Sequence, residues 1–402
     1  MAGHIPLSLS DLEKWIENNG FIGYDPYDIK GKSGIIKLTS LGNRYFIAAL
    51  LREAIFEIFY TFPVISRKIL RVKPAVNAKA MGLFASSYLD LYKLTHEDQY
   101  KHQADVCLQW LKDTFVHVDQ GIGWGYPFDW QSEKLIPAGT PNGVVTTACS
   151  EAFWKNYRIF RDEESLNYCI KISKFLSTLP IDIIDDDKIC FSYTPIFVNH
   201  VHNLNLFVAE QLLKTGLETD NNEWIVLAEK AINYTISNQL SNGSFDYNGP
   251  PETPQHHFDS YHTGFVLRML HSIWKLTNRK DVYDSLSRCY NHYLGSFFED
   301  NQIPKLMPDR KYRIDIHSCA ESINCLSELG CTFPQGLITA QRVLDWTISN
   351  LQDPSGYFYY AVIKSRLTKT TFRSKIPYIR WGQAWMHKAL SNYLISTNHK
   401  LV

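Results

Sequence analysis

The chain has 402 residues, 45% of them hydrophobic, and 41 basic residues balance 41 acidic ones. That hydrophobic share excludes a disordered chain. A net charge of zero with no basic stripe excludes a protein that holds nucleic acid through phosphate attraction.

The first 40 residues are loosely patterned. Residues 11–19 suit a short helix, and Gly23-Tyr-Asp-Pro-Tyr-Asp28 reads as a turn-rich entry loop. The N-terminus has neither a basic region nor an apolar run of a secretory signal, which gives a cytoplasmic expectation. The apolar run Tyr45–Val64 carries Arg52, Glu53 and Glu57 in its middle. Charges at that depth favour a buried or interfacial helix over a spanning one.

From there the pattern is helix after helix. Apolar residues recur at three- and four-residue spacing near 42–61, 75–95, 98–116, 142–159, 163–179, 201–217, 221–240, 258–277, 280–297, 315–329, 334–351 and 378–396. Strand signals are sparse and confined to loops. Short and long connections alternate, and a short connection makes antiparallel neighbours. The pattern predicts six helical hairpins closed into an all-α, (α/α)6 toroid, with residues 1–40 an entry segment and 41–402 one domain.

The long loops repeat a Gly/aromatic motif in Gly121–Tyr126, Asn242–Tyr247 and Ser355–Tyr360. The helices after them open at Pro141, His202, His262, His317 and Trp381, a period of roughly 60 residues. These helices are the expected inner ring, with N-termini converging on one end of a central cavity.

Five constellations fall at those loop-to-helix junctions. Asp129 sits between Phe128 and Trp130, a setting that raises a carboxylate pKa and suits an acid. His200, His202 and Asn203 open one helix. His256, His257, Asp259, Tyr261 and His262 open another, and Asp259 is read as an acid, a base or the orienter of His262 or Tyr261. Each of these Asp residues also suits a turn or an N-cap. Asp315 and His317 repeat the Asp-then-His order. Arg380 beside Trp381 suits a sugar carboxylate stacked on an indole. No HExxH or thiolate spacing supports a metal, and no nucleotide motif supports a cofactor. The eight cysteines form no CxxC pair and read as buried free thiols.

The aromatic content, 10 Trp, 23 Tyr and 22 Phe, fills a helical core. Where aromatics share loops with His, Asp, Asn and Arg they also suit sugar rings, which stack through C–H faces and hydrogen-bond through hydroxyls. The catalytic candidates are Asp129, Asp259, Tyr261, His262 and Asp315. The substrate-binding candidates are Trp124, Tyr126, Trp130, Tyr193, His200, His202, Asn203, Asp246, His257, His317, Tyr359, Arg380 and Trp381.

The motifs GWGYPFDWQ, HNLNL, NGSFDY, HFDSYHTGF and IDIHS, with the earlier GYDPYD and KPAVNAKAMGL, together resemble the VpsJ-like family of bacterial polysaccharide biosynthesis. The resemblance covers most of the chain. It implies work on a capsule or exopolysaccharide precursor, with a peripheral contact to a membrane-associated glycosyltransferase complex. Some members of that family are labelled delta-aminolevulinic acid dehydratase, a β/α barrel that this helical pattern does not match. More distantly the layout is similar to six-hairpin glycosidases, toroidal lyases and the helical domain of glucuronyl C5-epimerases. Two chemistries stay open: a hydrolase with two facing carboxylates, or a uronate lyase or C5-epimerase with a Tyr or His base and a cation. A non-catalytic glycan-binding or scaffold protein is the alternative class.

Overall fold

The computed structural model describes residues 4–253, 259–300, 302–364 and 369–398. In chain order the helices are α1 (His4–Asn19), α2 (Ser33–Gly42), α3 (Phe46–Thr61), α4 (Pro63–Ile69), α5 (Ala78–Thr95), α6 (Asp98–Thr114), α7 (Gly143–Phe160), α8 (Glu163–Ser177), α9 (His202–Thr219), α10 (Asn222–Ser237), α11 (Ser260–Thr277), α12 (Lys280–Ser296), α13 (Ile316–Glu328), α14 (Gln335–Leu351) and α15 (Trp385–Asn398).

Helices α5, α7, α9, α11, α13 and α15 pack each against the next, and α15 returns to α5. This is the inner ring of an (α/α)6 toroid. Its helices are walled in on all sides, so their burial is not confined to one stripe: every residue of α5 from Ala78 to Leu91 is buried, and every residue of α13 from Ile316 to Ser327. The outer helices are amphipathic instead. In α12 the buried residues Val282, Ser285, Leu286, Cys289, Tyr290 and Tyr293 make a single face. Close approach within the inner ring requires Gly82, where a Cβ would lie 2.5 Å from the Ala148 carbonyl oxygen of α7.

Short hairpin turns join α5 to α6, α7 to α8, α9 to α10 and α11 to α12. Each turns through one left-handed residue: His96, Arg161, Asp220 and Asn278. On the long-loop side the helices start at side-chain caps. Asn77 accepts from Lys79 N, Asn142 from Val145 N, Asp259 from His262 N and Asp315 from His317 N.

The sixth outer helix is α1, which packs on α15 and buries Ile5, Leu9, Leu12 and Ile16. The helix expected over residues 11–19 therefore starts a full two turns earlier. The expected segment 42–61 contributes no outer helix; α3 packs on α2 and α4 and has no buried residue. The expected helix 378–396 is divided. Its first six residues, Ile379–Ala384, form a π-helical turn before α15, a local widening common at functional sites. The strands form short antiparallel sheets in the long loops; in one of them Ala361–Lys364 lies between Ile314–Asp315 and Thr371–Ser374.

Candidate functional site

A cavity of about 340 Å³ opens where the inner helices begin. Lys79 comes from the first turn of α5, Asn203 from α9, Tyr261, His262 and Phe265 from α11, and His317 from α13. The π turn supplies Arg380 and Trp381. Long loops add Tyr126, Trp130 and Tyr193, and the entry loop adds Tyr27.

His262 is the most organised group. Its Nδ1 lies 2.6 Å from Asp259 Oδ2, while Asp259 Oδ1 accepts the His262 backbone N–H at 2.8 Å. One carboxylate thus caps the helix and orients the ring. With the Nδ1 proton donated to Asp259, Nε2 carries the lone pair, and it has no hydrogen-bond partner among the described residues. Tyr261 lies against both imidazoles, its ring centroid 4.4 Å from His262 and 4.8 Å from His317. Burial, then the Asp259 charge, holds its phenol well above the ordinary range, so it acts as a neutral hydroxyl.

His317 stacks on Trp381 at 4.2 Å. Burial, then the charges of Lys79, Arg380 and His262, hold its pKa well below the ordinary value, so it is a neutral imidazole. Its buried Nδ1 has no hydrogen-bond partner among the described residues. Behind it, Asp315 Oδ1 accepts from the indole Nε1 of Trp381 at 2.7 Å and from His317 N at 2.9 Å, and Oδ2 ion-pairs with Arg313 at 3.5 Å. Asp315 positions the stacked pair from outside the cavity. Burial raises its pKa against the pull of Arg313.

Lys79 is 4% exposed. Its Nζ sits 5.4 Å from the Phe265 ring centroid and 5.3 Å from that of Trp385, with no hydrogen-bond partner among the described residues. Burial, then Arg380, pushes its pKa down to about 7, with Glu321 pulling the other way. Lys79 and Val144 also line a second cavity of about 600 Å³ among the later turns of the inner helices, so they stand between the two. Arg380 is already paired. Its Nε and Nη2 meet Asp25 Oδ2 and Oδ1 at 2.5 and 2.8 Å, a buried bidentate pair. The guanidinium faces the rings of Trp381 and Tyr126 at 5.1 and 5.2 Å.

Of the sequence candidates, Tyr126, Trp130, Tyr193, Asn203, Tyr261, His262, His317, Arg380 and Trp381 share this cavity. Others stand elsewhere. Asp129 lies in the wall's outer loop, where Oδ1 accepts from Ala138 N at 2.7 Å. Trp124 is a core residue whose Nε1 donates to Leu111 O. His200 is clasped by Glu252 and Asp182, each at 2.8 Å. His202 packs on Tyr234 and Phe245, and burial pushes its pKa down to about 4. Asp246 borders a small void beside His202. Tyr359 donates to Asp353 under another loop. His256 and His257 lie outside the described residues. Among the described residues, no group of three or more His, Cys, Asp or Glu is placed to hold a metal.

Sequence reasoning missed Lys79, Asp25 and Tyr27. The available signal for Lys79 was a lysine two residues after an Asn cap, inside a helix start with no other charge.

The carboxylates are decisive for the chemistry. Among the described residues only Glu133 and Glu252 line the cavity. Glu252 is occupied by His200 and by Asn248 Nδ2 at 2.7 Å, and Glu133 is exposed at the rim. Among the described residues, no free pair of carboxylates lines the cavity.

No family model and no curated protein matches this chain. Solved structures do match its fold. A cellobiose 2-epimerase from Bacillus thermoamylovorans aligns with a TM-score of 0.61 at 12% identity, over 80% of this chain and 88% of that one. A D-mannose isomerase aligns at 0.59 and 12%, over 80% and 87%. A GH76 α-mannanase of Bacteroides thetaiotaomicron aligns at 0.61 and 10%, over 81% and 88%. At these identities the likeness is one of fold.

Proposed function

We propose that the protein is a carbohydrate-active enzyme that moves a proton at a sugar carbon beside a carbonyl, as an epimerase or isomerase. The observation that carries this reading is the Asp259-oriented His262, whose Nε2 has no hydrogen-bond partner among the described residues and which lines an aromatic cavity that lacks a pair of free carboxylates among them. Such a site suits proton abstraction better than the two-carboxylate hydrolysis of a glycosidic bond.

In this reading His262 Nε2 takes the proton from carbon. Negative charge gathers on the carbonyl oxygen, and among the described residues lining the cavity the Lys79 ammonium is the unpaired cation that stabilises it. The neutral His317 is the second imidazole, able to return a proton to the carbon or shuttle it between oxygens. Tyr126, Trp130 and Trp381 offer faces for the C–H surface of the ring, and the Asn203 amide and Tyr261 hydroxyl offer hydrogen bonds. Arg380, neutralised by Asp25, is less suited to a uronate carboxylate than an unpaired guanidinium. An aldose at the reducing end of an oligosaccharide is therefore the favoured substrate. The cellobiose 2-epimerase and the D-mannose isomerase of like fold are in keeping with this, and the VpsJ-like resemblance supports a place for that sugar in surface-polysaccharide synthesis.

The test is incubation with free aldoses, reducing oligosaccharides and uronic acid oligosaccharides, followed by chromatography. An epimer or ketose supports the reading. Shortened sugars would mean hydrolysis, an ultraviolet-absorbing unsaturated product would mean elimination, and binding without product would mean a glycan-binding protein.

A further inference from the structure

The segment formed by α2, α3 and α4 belongs to neither the inner nor the outer ring of helices. Helix α3 is among the most apolar segments of the chain, yet none of its residues is buried. Ile47, Leu50, Leu51 and Ile58 recur at helical spacing on one face, and Ile47 is 81% exposed. Phe62 and Ile69, at the two ends of α4, are also exposed. An apolar area of this extent marks an interaction site.

We propose that this segment docks on an anionic lipid bilayer and holds the mouth of the cavity at the membrane surface. Charge selects the occupant. Residues 30–73 hold nine Lys and Arg against two Asp and Glu, in a chain whose total is zero. Lys37, Arg44, Lys68, Arg71 and Lys73 are exposed, and none of them forms an ion pair among the described residues. A basic rim around an apolar face is the pattern of a helix lying in the lipid interface. A second copy fits less well, because a two-fold contact would set this positive rim against itself. Length excludes a span: 16 residues make about 24 Å of helix, short of a hydrocarbon core of about 30 Å.

The segment is also joined to the cavity wall. Helix α2 packs on the strand Trp130–Gln131 and on the turn Asp28–Gly31. Gly31 is so close to the Asp129 carbonyl oxygen that a Cβ would sit 2.6 Å from it. Lys30 Nζ lies 4.8 Å from the rings of both Tyr27, in the cavity, and Phe56, on α3. A surface that seats α3 therefore seats the cavity mouth, which suits a sugar carried at a membrane. The docking stands on the segment alone and does not depend on the chemistry of the cavity.

The experiment is co-sedimentation of the full chain with vesicles of phosphatidylcholine, alone or with about a third phosphatidylglycerol. Two variants accompany it, Leu50→Ser/Leu51→Ser and Lys68→Glu/Arg71→Glu, each checked for wild-type circular dichroism. The wild type should pellet with the anionic vesicles, and each variant and added salt should weaken that binding on the order of tenfold. The proposal is overturned if the wild type stays in the supernatant, or if both variants bind as it does. A solution dimer that Leu50→Ser/Leu51→Ser dissolves, with no vesicle binding, equally overturns it and assigns the face to a second copy.

Discussion

Replacing Lys79 by Met should make the protein more stable, by an amount that depends on pH. In the unfolded chain the lysine titrates near 10.5, and in the folded protein burial holds it at about 7. Below pH 7 both states carry the proton, and the fold bears the whole expense of an ammonium with no hydrogen-bond partner. Between 7 and 10.5 the unfolded chain binds a proton that the folded one has released, so the penalty shrinks as pH rises. Above 10.5 it is gone. The gap between the two values corresponds to roughly 5 kcal/mol. Nζ borders two cavities, and water there lowers the figure, so about 2–4 kcal/mol is expected. Lys79→Met also removes a charge that favours ionised Glu321, whose pKa burial pushes up to about 7. That loss trims the gain. Urea unfolding of both proteins below pH 7 and near pH 10.5 reads the difference. The variant should be the more stable at low pH, the gap should nearly close at high pH, and turnover should be lost. A variant that is less stable throughout, or a gap that ignores pH, would refute the assignment of Lys79 as a buried, unpaired cation.

Three more perturbations follow from the same geometry. Asp259→Asn leaves an oxygen to cap His262 N but removes the carboxylate that fixes the ring, and kcat should fall by about 10²–10⁴ with little change in the melting temperature. Asp25→Asn or Arg380→Met alone strands a buried charge and should destabilise by about 3–5 kcal/mol, whereas the double variant should recover much of it; a double-mutant cycle in urea measures this. Trp381→Phe keeps an aromatic face for His317 but removes the donor to Asp315 Oδ1, an expected loss of about 1–3 kcal/mol by thermal denaturation.

The toroid was legible because its helices are long, periodic and joined by connections of alternating length. Eleven of the expected segments overlap ring helices, but the outer helix beside α15 was misplaced. Its period, Ile5, Leu9, Leu12 and Ile16, is short and has Pro6 in its first turn, while the more apolar α3 attracted the assignment. Apolar content alone does not distinguish a core helix from one left uncovered. The junction grammar singled out His262, His317, Arg380 and Trp381, which line one cavity. The same grammar over-read the acids. An Asp before a helix already has an amide to cap, and in Asp259 and Asp315 the remaining oxygen is taken by an imidazole or a guanidinium. Asp25 was illegible for a different reason, because ring closure sets it against Arg380, 355 residues away; the start of α5 marked Lys79 as a lone charge, but only the closed ring surrounds it with rings and a cation.

The most direct measurement is solvent exchange at the sugar carbon. The protein is incubated in D₂O with a reducing oligosaccharide that it binds, and proton NMR follows the hydrogen on the carbon beside the carbonyl. The account predicts that this signal disappears as deuterium enters, along with the appearance of the epimer or ketose, and that Asp259→Asn slows both together. Release of shorter sugars with that hydrogen retained, or binding with no exchange, would contradict it.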